Sequence, residues 1–416
     1  MKNIDIGFSK KGVSFSIDEN NLSAVLMPNK VEYTLSGVEE VRRALRNPIG
    51  KNPLSEYDLK DKRIAIVTSD ITRPLPSYKI LPSLLDELNS AGADDANITV
   101  VFALGSHRSH TEEEMRHLVS DEVFERVKCV DSHAENCVHL GETTRGTPVD
   151  VFDLVANADF RICLGNIEFH YFAGYSGGMK AIMPGVSTRD AIRANHSHMV
   201  EEGSYAGHLE GNPVREDIEE VYNFCPVDYI VNVVLNEKKE IICAVAGDVV
   251  EAHRAGCKFL DKLYKCNIPE KADIVIVSAG GFPKDMNMYQ AQKALDNAKH
   301  AVRDGGVIIW VASCSEGLGE KHFEEWMLGH EKSEDMIPHI RRDFILGGHK
   351  AAAIALVLQK VQIMLVSDLD DDFARRVFME PMPTVDAALK EAYNRLGGDA
   401  MVIVMPYGGS TLPCIE

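Results

Sequence analysis

The sequence predicts an α/β fold made of two α/β domains with mostly parallel sheets. Three observations carry that prediction. Short apolar, β-branched runs recur along the 416 residues, and amphipathic segments separate many of them. A polar, proline-containing break at Cys266–Ala272 then precedes a fresh strand-then-Gly-Gly unit, Asp273–Gly281. Alternating β and α signals of this kind favour parallel sheets with helices packed on their faces.

Taken in order, Arg63–Thr68 is the first clear strand, and Tyr78–Asn89 after it has helical amphipathicity. Ile98–Leu104 is the second strand. Thr111 followed by Glu114 matches a capping box and starts a helix over Glu112–Val119. Arg161–Leu164 is the third strand, and Ser187 with Asp190 is a looser cap before Thr188–Asn195. Tyr229–Leu235 and Ile241–Ala246 follow. Past the break come Asp273–Val277, Val307–Val311, Val361–Val366 and Met401–Met405. The break divides the chain into residues 1–270 and 271–416.

Composition narrows the function classes. Lys and Arg number 44 against 63 Asp and Glu, a net charge of −19. Phosphate contacts need a basic surface, so nucleic acid is excluded as a partner, and anionic membranes would repel such a chain. No apolar run approaches the ~18 residues of a membrane span, and the N-terminus has no signal-peptide apolar region. The nine cysteines are scattered with no CxxC pair, and read as reduced cytoplasmic thiols.

Ligands of open α/β sheets bind at the carboxyl ends of the strands. Three successive strands end in unusual residues: Ser69-Asp70-Ile71-Thr72-Arg73-Pro74, then Gly105-Ser106-His107-Arg108, then Gly165-Asn166-Ile167-Glu168-Phe169-His170. Together they deliver charged and titratable groups to one sheet edge. The third loop continues through Gly174, Tyr175, Ser176, Gly177 and Gly178 to Lys180. Such glycines can turn backbone N–H groups toward an anion. The plainer reading is a tight turn packed against the next helix. Asn195-His196-Ser197-His198 offers imidazoles for a borderline metal, although most such histidines are exposed or hydrogen-bonded. In the second domain, Tyr289-Gln290-Ala291-Gln292-Lys293 would place Gln290 and Lys293 on one helical face. The plainer reading there is an ordinary amphipathic helix with a solvated lysine.

These segments resemble the nickel-dependent lactate racemases and their hydroxy-acid racemase and epimerase relatives. SDITRP (69–74), GSHRSHT (105–111), HYFAGYSGGMKAIMPG (170–185), NH (195–196) and YQAQK (289–293) follow the family's order and span both domains. The resemblance implies a nickel pincer nucleotide, pyridinium-3-thioamide-5-thiocarboxylic acid mononucleotide, whose two sulfur arms and one ring carbon hold nickel. By the family pattern Lys180 is the covalent tether and His196 the protein ligand to nickel. His107 and His170 are the paired acid/base residues. Arg73 and Lys293 hold the substrate's carboxylate or oxygen, with Tyr289 and Gln290 lining the site from the second domain. Asp70, Thr72 and the residues Gly174 to Gly178 seat the ribose and phosphate. Residues 1–270 would then bind the cofactor and carry catalysis, and 271–416 would supply substrate contacts across an interdomain cleft. The partners implied are a small 2-hydroxy acid and the enzymes that build the cofactor. Two departures, Met179 where relatives often have Arg and Phe169 where many have Pro, bear on which hydroxy acid is used.

The chemistry fits those residue types. Inverting the carbon of a 2-hydroxy acid by proton removal is hard, because the neighbouring carboxylate stabilises a carbanion poorly. Hydride removal coupled to loss of the hydroxyl proton leaves a planar 2-oxo acid that can take the hydride back on its other face. No side chain accepts a hydride, so a cofactor is needed. One base per enantiomer is also needed, and histidine suits that work. Arg73 can clamp a carboxylate through two parallel hydrogen bonds. His196 needs a hydrogen-bond partner on its other ring nitrogen, and the sequence does not identify it; His198 is the alternative ligand. A nicotinamide-dependent hydroxy-acid dehydrogenase would use similar groups, but no dinucleotide fingerprint is present. A non-catalytic nickel or nucleotide carrier would keep the glycine loop without inversion. His110, His117, His133 and His139, together with Trp310 and Trp326, read as structural.

Overall fold

The computed structural model describes residues 1–415, and the chain folds as two compact units: Val31–Asp261, and Met1–Lys30 with Lys262–Glu416. This corrects the division expected from sequence. The first thirty residues belong with the C-terminal part, and the boundary falls inside the helix Glu251–Tyr264 rather than at residue 270. The reason is a short hairpin that periodicity alone did not reveal. Lys2–Ile6 pairs antiparallel with Val13–Ile17, and Ile4, Ile6, Phe15 and Ile17 enter the core of the C-terminal unit. Each such side chain is worth about 1.5–3 kcal/mol when fully buried. Leu22–Val25 then runs parallel to Val402–Met405 as the edge strand of that unit's sheet. Lys265–Ile268, within the supposed linker, is itself a strand paired with Leu412–Ile415.

The unit Val31–Asp261 holds a six-stranded sheet. Its order is Ile241–Gly247, Tyr229–Leu235, Phe160–Asn166, Ile64–Ser69, Ile98–Ala103 and Lys128–Asp131. All neighbours are parallel except the Ile241–Gly247 and Tyr229–Leu235 pair. The central strands are buried on both faces, so Ile64-Ala65-Ile66-Val67 reads as a continuous apolar run instead of an alternation. Helix Ser77–Ser90 covers one face with Ile80, Leu81, Leu84, Leu85 and Leu88, a helical stripe. From Ile64–Ser69 the chain builds outward in one direction, then returns to Phe160–Asn166 on the other side. The crevice between those two strands is therefore where ligands bind in such sheets.

The other unit holds an all-parallel sheet ordered Glu380–Pro381, Gln362–Val366, Val302–Val311, Ala272–Ser278, Val402–Met405 and Leu22–Val25. The fold is thus α/β with mostly parallel sheets in both units, as the alternating pattern required. Trp310 and Trp326 are buried packing residues. All nine cysteines are free thiols. Among the described residues no helix is long and apolar enough to cross a membrane.

Candidate active site

The loops after Ile64–Ser69, Ile98–Ala103 and Phe160–Asn166 meet at one sheet edge, and hydrogen bonds sew them together. His110 is the stitch between the first two. Its Nδ1 donates to Asp131 at 2.6 Å while its Nε2 accepts from the Ile71 N–H at 3.0 Å. Both ring nitrogens are therefore committed to holding the SDITRP loop, which is the structural role expected of this residue. The capping box on the helix after the second loop is complete: Glu114 N–H donates to Thr111 Oγ1 at 3.2 Å and Thr111 N–H to Glu114 Oε2 at 2.9 Å. For the later helix, Arg189–Ser197, the cap is Thr188 rather than Ser187.

Asp70 ends the first strand loop almost fully buried and accepts from His107 Nδ1 at 2.6 Å. The Thr72 hydroxyl donates to both carboxylate oxygens, at 2.9 and 3.1 Å. Burial opposes the charge on Asp70. The hydrogen bond and charge of His107, the Thr72 hydroxyl and the charge of Arg73 outweigh it and hold the carboxyl below its ordinary range. The nucleotide-seating role expected of Asp70 and Thr72 is thus joined by a different one: their hydrogen bonds run to His107 and to each other. A carboxylate on Nδ1 leaves His107 with Nε2 as its basic nitrogen.

His170 stands on the short strand Phe169–His170 and accepts from the Ala173 N–H at Nδ1, 3.2 Å away. Neutral His170 therefore carries its proton on Nε2, the opposite tautomer to His107. Burial pushes its pKa well below 6.5, and the charges of Lys180, His196, Arg73 and Arg215 push the same way. Those four groups thus share one electrostatic neighbourhood with the imidazole. Phe172 packs between two of the rings, edge-on to His170 at 4.5 Å and to His196 at 4.9 Å. Arg73 is exposed and has no carboxylate in ion-pair contact among the described residues.

Lys180 lies in the single turn Gly178–Ala181, where burial, then Arg215 and Arg73, drive its amine well below the usual lysine range. No acidic group offsets this among the described residues. A buried amine without a counter-charge favours its neutral, nucleophilic form. His196 ends its helix nearly buried, and its Nδ1 meets Asn195 Oδ1 at 2.9 Å. Asn195 is the partner the sequence could not assign. His198, the alternative ligand, turns to Glu201 instead, Nδ1 to Oε1 at 2.5 Å.

The glycine loop is held by its own hydrogen bonds. Its polar groups turn inward. The Gly178 N–H donates to Asn232 Oδ1 at 2.8 Å, the Ser176 hydroxyl to the Asn166 carbonyl at 2.7 Å, and the Tyr175 hydroxyl to Asp261 at 2.5 Å. The buried Arg215 clamps the Ala173 and Tyr175 carbonyls. Gly174 and Gly177 are required by close approach at positive φ: a Cβ would sit 2.0 Å from the His208 carbonyl oxygen or 2.6 Å from Asn232 Oδ1. These glycines are thus used in close packing, and Lys180 follows them directly in the chain. Met179 is buried in the core.

In the other unit, Tyr289, Gln290 and Lys293 lie on the helix Met288–Ala298, with Gln290 and Lys293 exposed. Gly347-Gly348-His349-Lys350 reads in sequence as a turn into an alanine-rich helix, and Lys350 lies on the helix Gly348–Leu358. Its Nζ donates to the Tyr289 carbonyl at 2.7 Å and lies 4.1 Å from that ring's centroid. Burial, then the nearby charge of Lys293, pushes its amine down to about 8.

Comparison with known proteins shows the family to which the chain belongs. Residues 8–207 match the family model for the lactate racemase N-terminal domain, and residues 268–412 that for the lactate racemase C-terminal domain. The lactate racemase of Thermoanaerobacterium thermosaccharolyticum is 34% identical across 99% of both chains. That of Lactiplantibacillus plantarum is 34% identical across 97% of this chain and 98% of its own. The structure of the T. thermosaccharolyticum lactate racemase apoprotein superposes with a TM-score of 0.87 at 32% identity, covering 99% of this chain and all of that one. A Thermotoga maritima protein shares the fold at a TM-score of 0.61 and 18% identity, covering 92% of this chain and all of its own.

Proposed function

The chain belongs to the lactate racemase family and is an isomerase, and on that footing we propose that it inverts C2 of lactate or a closely related 2-hydroxy acid by proton-coupled hydride transfer with a nickel pincer nucleotide. One observation carries this reading. The charges of Lys180, His196 and Arg73 all bear on His170, and Arg73 bears also on Lys180 and on Asp70, the hydrogen-bond partner of His107. The residues fit the group. Lys180 is a buried amine biased toward its nucleophilic form and would be the tether. His196 has Nδ1 engaged by Asn195, which directs Nε2 to a metal. When bound, the nucleotide supplies the hydride acceptor that no side chain provides.

The remaining work falls to the chain itself. Arg73 fixes the substrate carboxylate through a charge-assisted, two-point contact. His107 takes the hydroxyl proton of one enantiomer at Nε2, because Asp70 holds the other ring nitrogen and stabilises the imidazolium that forms. His170 takes the same role for the opposite enantiomer. It must first exchange its proton with solvent so that Nδ1 carries it and Nε2 is free, and the 3.2 Å contact from Ala173 N–H to Nδ1 is the bond it gives up. Loss of hydride and proton leaves a planar 2-oxo acid, and return to the other face completes inversion. Tyr289, Gln290 and Lys293 are assigned to substrate on the family motif, and Gly174 to Gly178 support Lys180.

Protein co-produced with the cofactor-building enzymes, incubated with single enantiomers of lactate, malate, 2-hydroxyglutarate, phenyllactate and a sugar acid, tests the reading by chiral chromatography. Stereoinversion without added NAD is expected. An unmodified chain that consumes NAD would instead be a dehydrogenase, and bound cofactor without inversion of any acid would mark a carrier.

A further inference from the structure

His196 belongs to a buried polar chain that continues well beyond its neighbour. The Asn195 side chain is fully buried. Its Nδ2 donates both hydrogens, to Asp217 Oδ2 at 2.7 Å and to the Val214 carbonyl at 3.2 Å. Two acceptors on one side fix the amide's orientation, so its Oδ1 faces His196. An oxygen facing Nδ1 at 2.9 Å requires that nitrogen to carry the proton.

Asp217 is also fully buried, on the helix Pro213–Glu220. The hydroxyls of Thr143 and Thr147 donate to its two oxygens at 2.5 and 2.7 Å, and the Thr147 N–H donates to Thr143 Oγ1 at 3.1 Å. Both threonines are buried in the turn between Cys137–Glu142 and Pro148–Phe152. Among the described residues no basic side chain pairs with Asp217. A buried carboxylate held only by neutral donors is costly for stability alone. Three donors converging on it, with an acceptor then aimed at one imidazole, point to orientation as its use.

We propose that Thr143, Thr147, Asp217 and Asn195 form a positioning chain that fixes His196 as its Nδ1–H tautomer and presents the Nε2 lone pair to a borderline metal. The metal-facing clause rests on the reading of His196 as the nickel ligand. The tautomer itself does not depend on that reading. Asn195 is a better positioning residue than a carboxylate would be. It cannot accept the imidazole proton, and it adds no second charge beside the metal's ligand.

Long-range 1H–15N correlation spectra of the cofactor-free chain read the tautomer directly. Wild type should show His196 with a protonated Nδ1 and a pyridine-like Nε2. In Asn195→Ala the ring should move to the Nε2–H form that imidazole prefers in water. Asp217→Leu should give a mixture, and Thr143→Val, a near-isosteric change, a smaller shift in the same direction. In loaded protein the Asp217→Leu change should speed nickel loss on dialysis by about 10- to 100-fold. A wild-type His196 protonated at Nε2 overturns the proposal. So do Asp217→Leu and Thr143→Val spectra identical to wild type, which would end the chain at Asn195. If wild-type loaded protein holds no nickel while the tautomer is as described, the nickel reading fails and the orientation stands.

Discussion

Nδ1 of His107 donates to Oδ2 of Asp70 at 2.6 Å, and that bond decides which ring nitrogen can meet a substrate. Replacing the carboxylate with an amide keeps the shape but lets an N–H face Nδ1, favouring the tautomer that blocks Nε2. Asp70→Asn should therefore lower kcat on the order of 10³-fold with little change in KM. Steady-state kinetics in both directions measure it. A loss confined to KM would show that Asp70 binds rather than orients.

The opposite tautomers of His107 and His170 make the two bases unequal. His107→Ala and His170→Ala should each nearly abolish inversion while nickel stays bound, read by chiral chromatography beside metal analysis. Wild-type turnover in both directions by either variant would remove the two-base assignment.

Arg73 is exposed at the sheet edge, with no carboxylate in ion-pair contact among the described residues. Arg73→Lys keeps the charge and loses the two-point geometry, so KM should rise about tenfold, the equivalent of about 1.4 kcal/mol. An unchanged KM would place the substrate carboxylate elsewhere.

Lys180 and His170 both have depressed pKa values, and the sign of the consequence is fixed. Between the native value of the Lys180 amine and its ordinary 10.5, the folded chain holds fewer protons than the unfolded one, so stability rises with pH across that window. His170 behaves the same way below 6.5, so stability falls as pH drops from there toward its native value. Urea unfolding of the cofactor-free protein should show Lys180→Met more stable than wild type at pH 7, with the advantage shrinking as pH rises toward 10.5. His170→Asn should flatten the acid limb. The reverse ordering would mean Lys180 carries its charge in the folded state.

Much of this was legible in the residues. The central strands announced themselves because double-sided burial demands unbroken apolar runs, as in Tyr229–Leu235, where the expected and observed bounds coincide. The loops carrying Asp70, His107 and His170 were legible because strand ends in an open sheet face one crevice. Other features left no local trace. The Lys2–Ile17 hairpin is short and joins a core built from residues beyond 262. Asp217 sits 22 positions from Asn195, and nothing in a linear reading pairs them. The glycine loop was ambiguous in sequence because positive φ serves close packing and anion binding alike; the close packing shows only in the neighbours of each Cβ.

Intact mass of the protein made with and without the cofactor-building enzymes reads the Lys180 tether itself. A covalent adduct with stoichiometric nickel is expected on wild type, lost from Lys180→Ala; His196→Ala should keep the adduct and lose the metal. An unmodified wild-type chain that still inverts its substrate, or an adduct that survives Lys180→Ala, would contradict that tether.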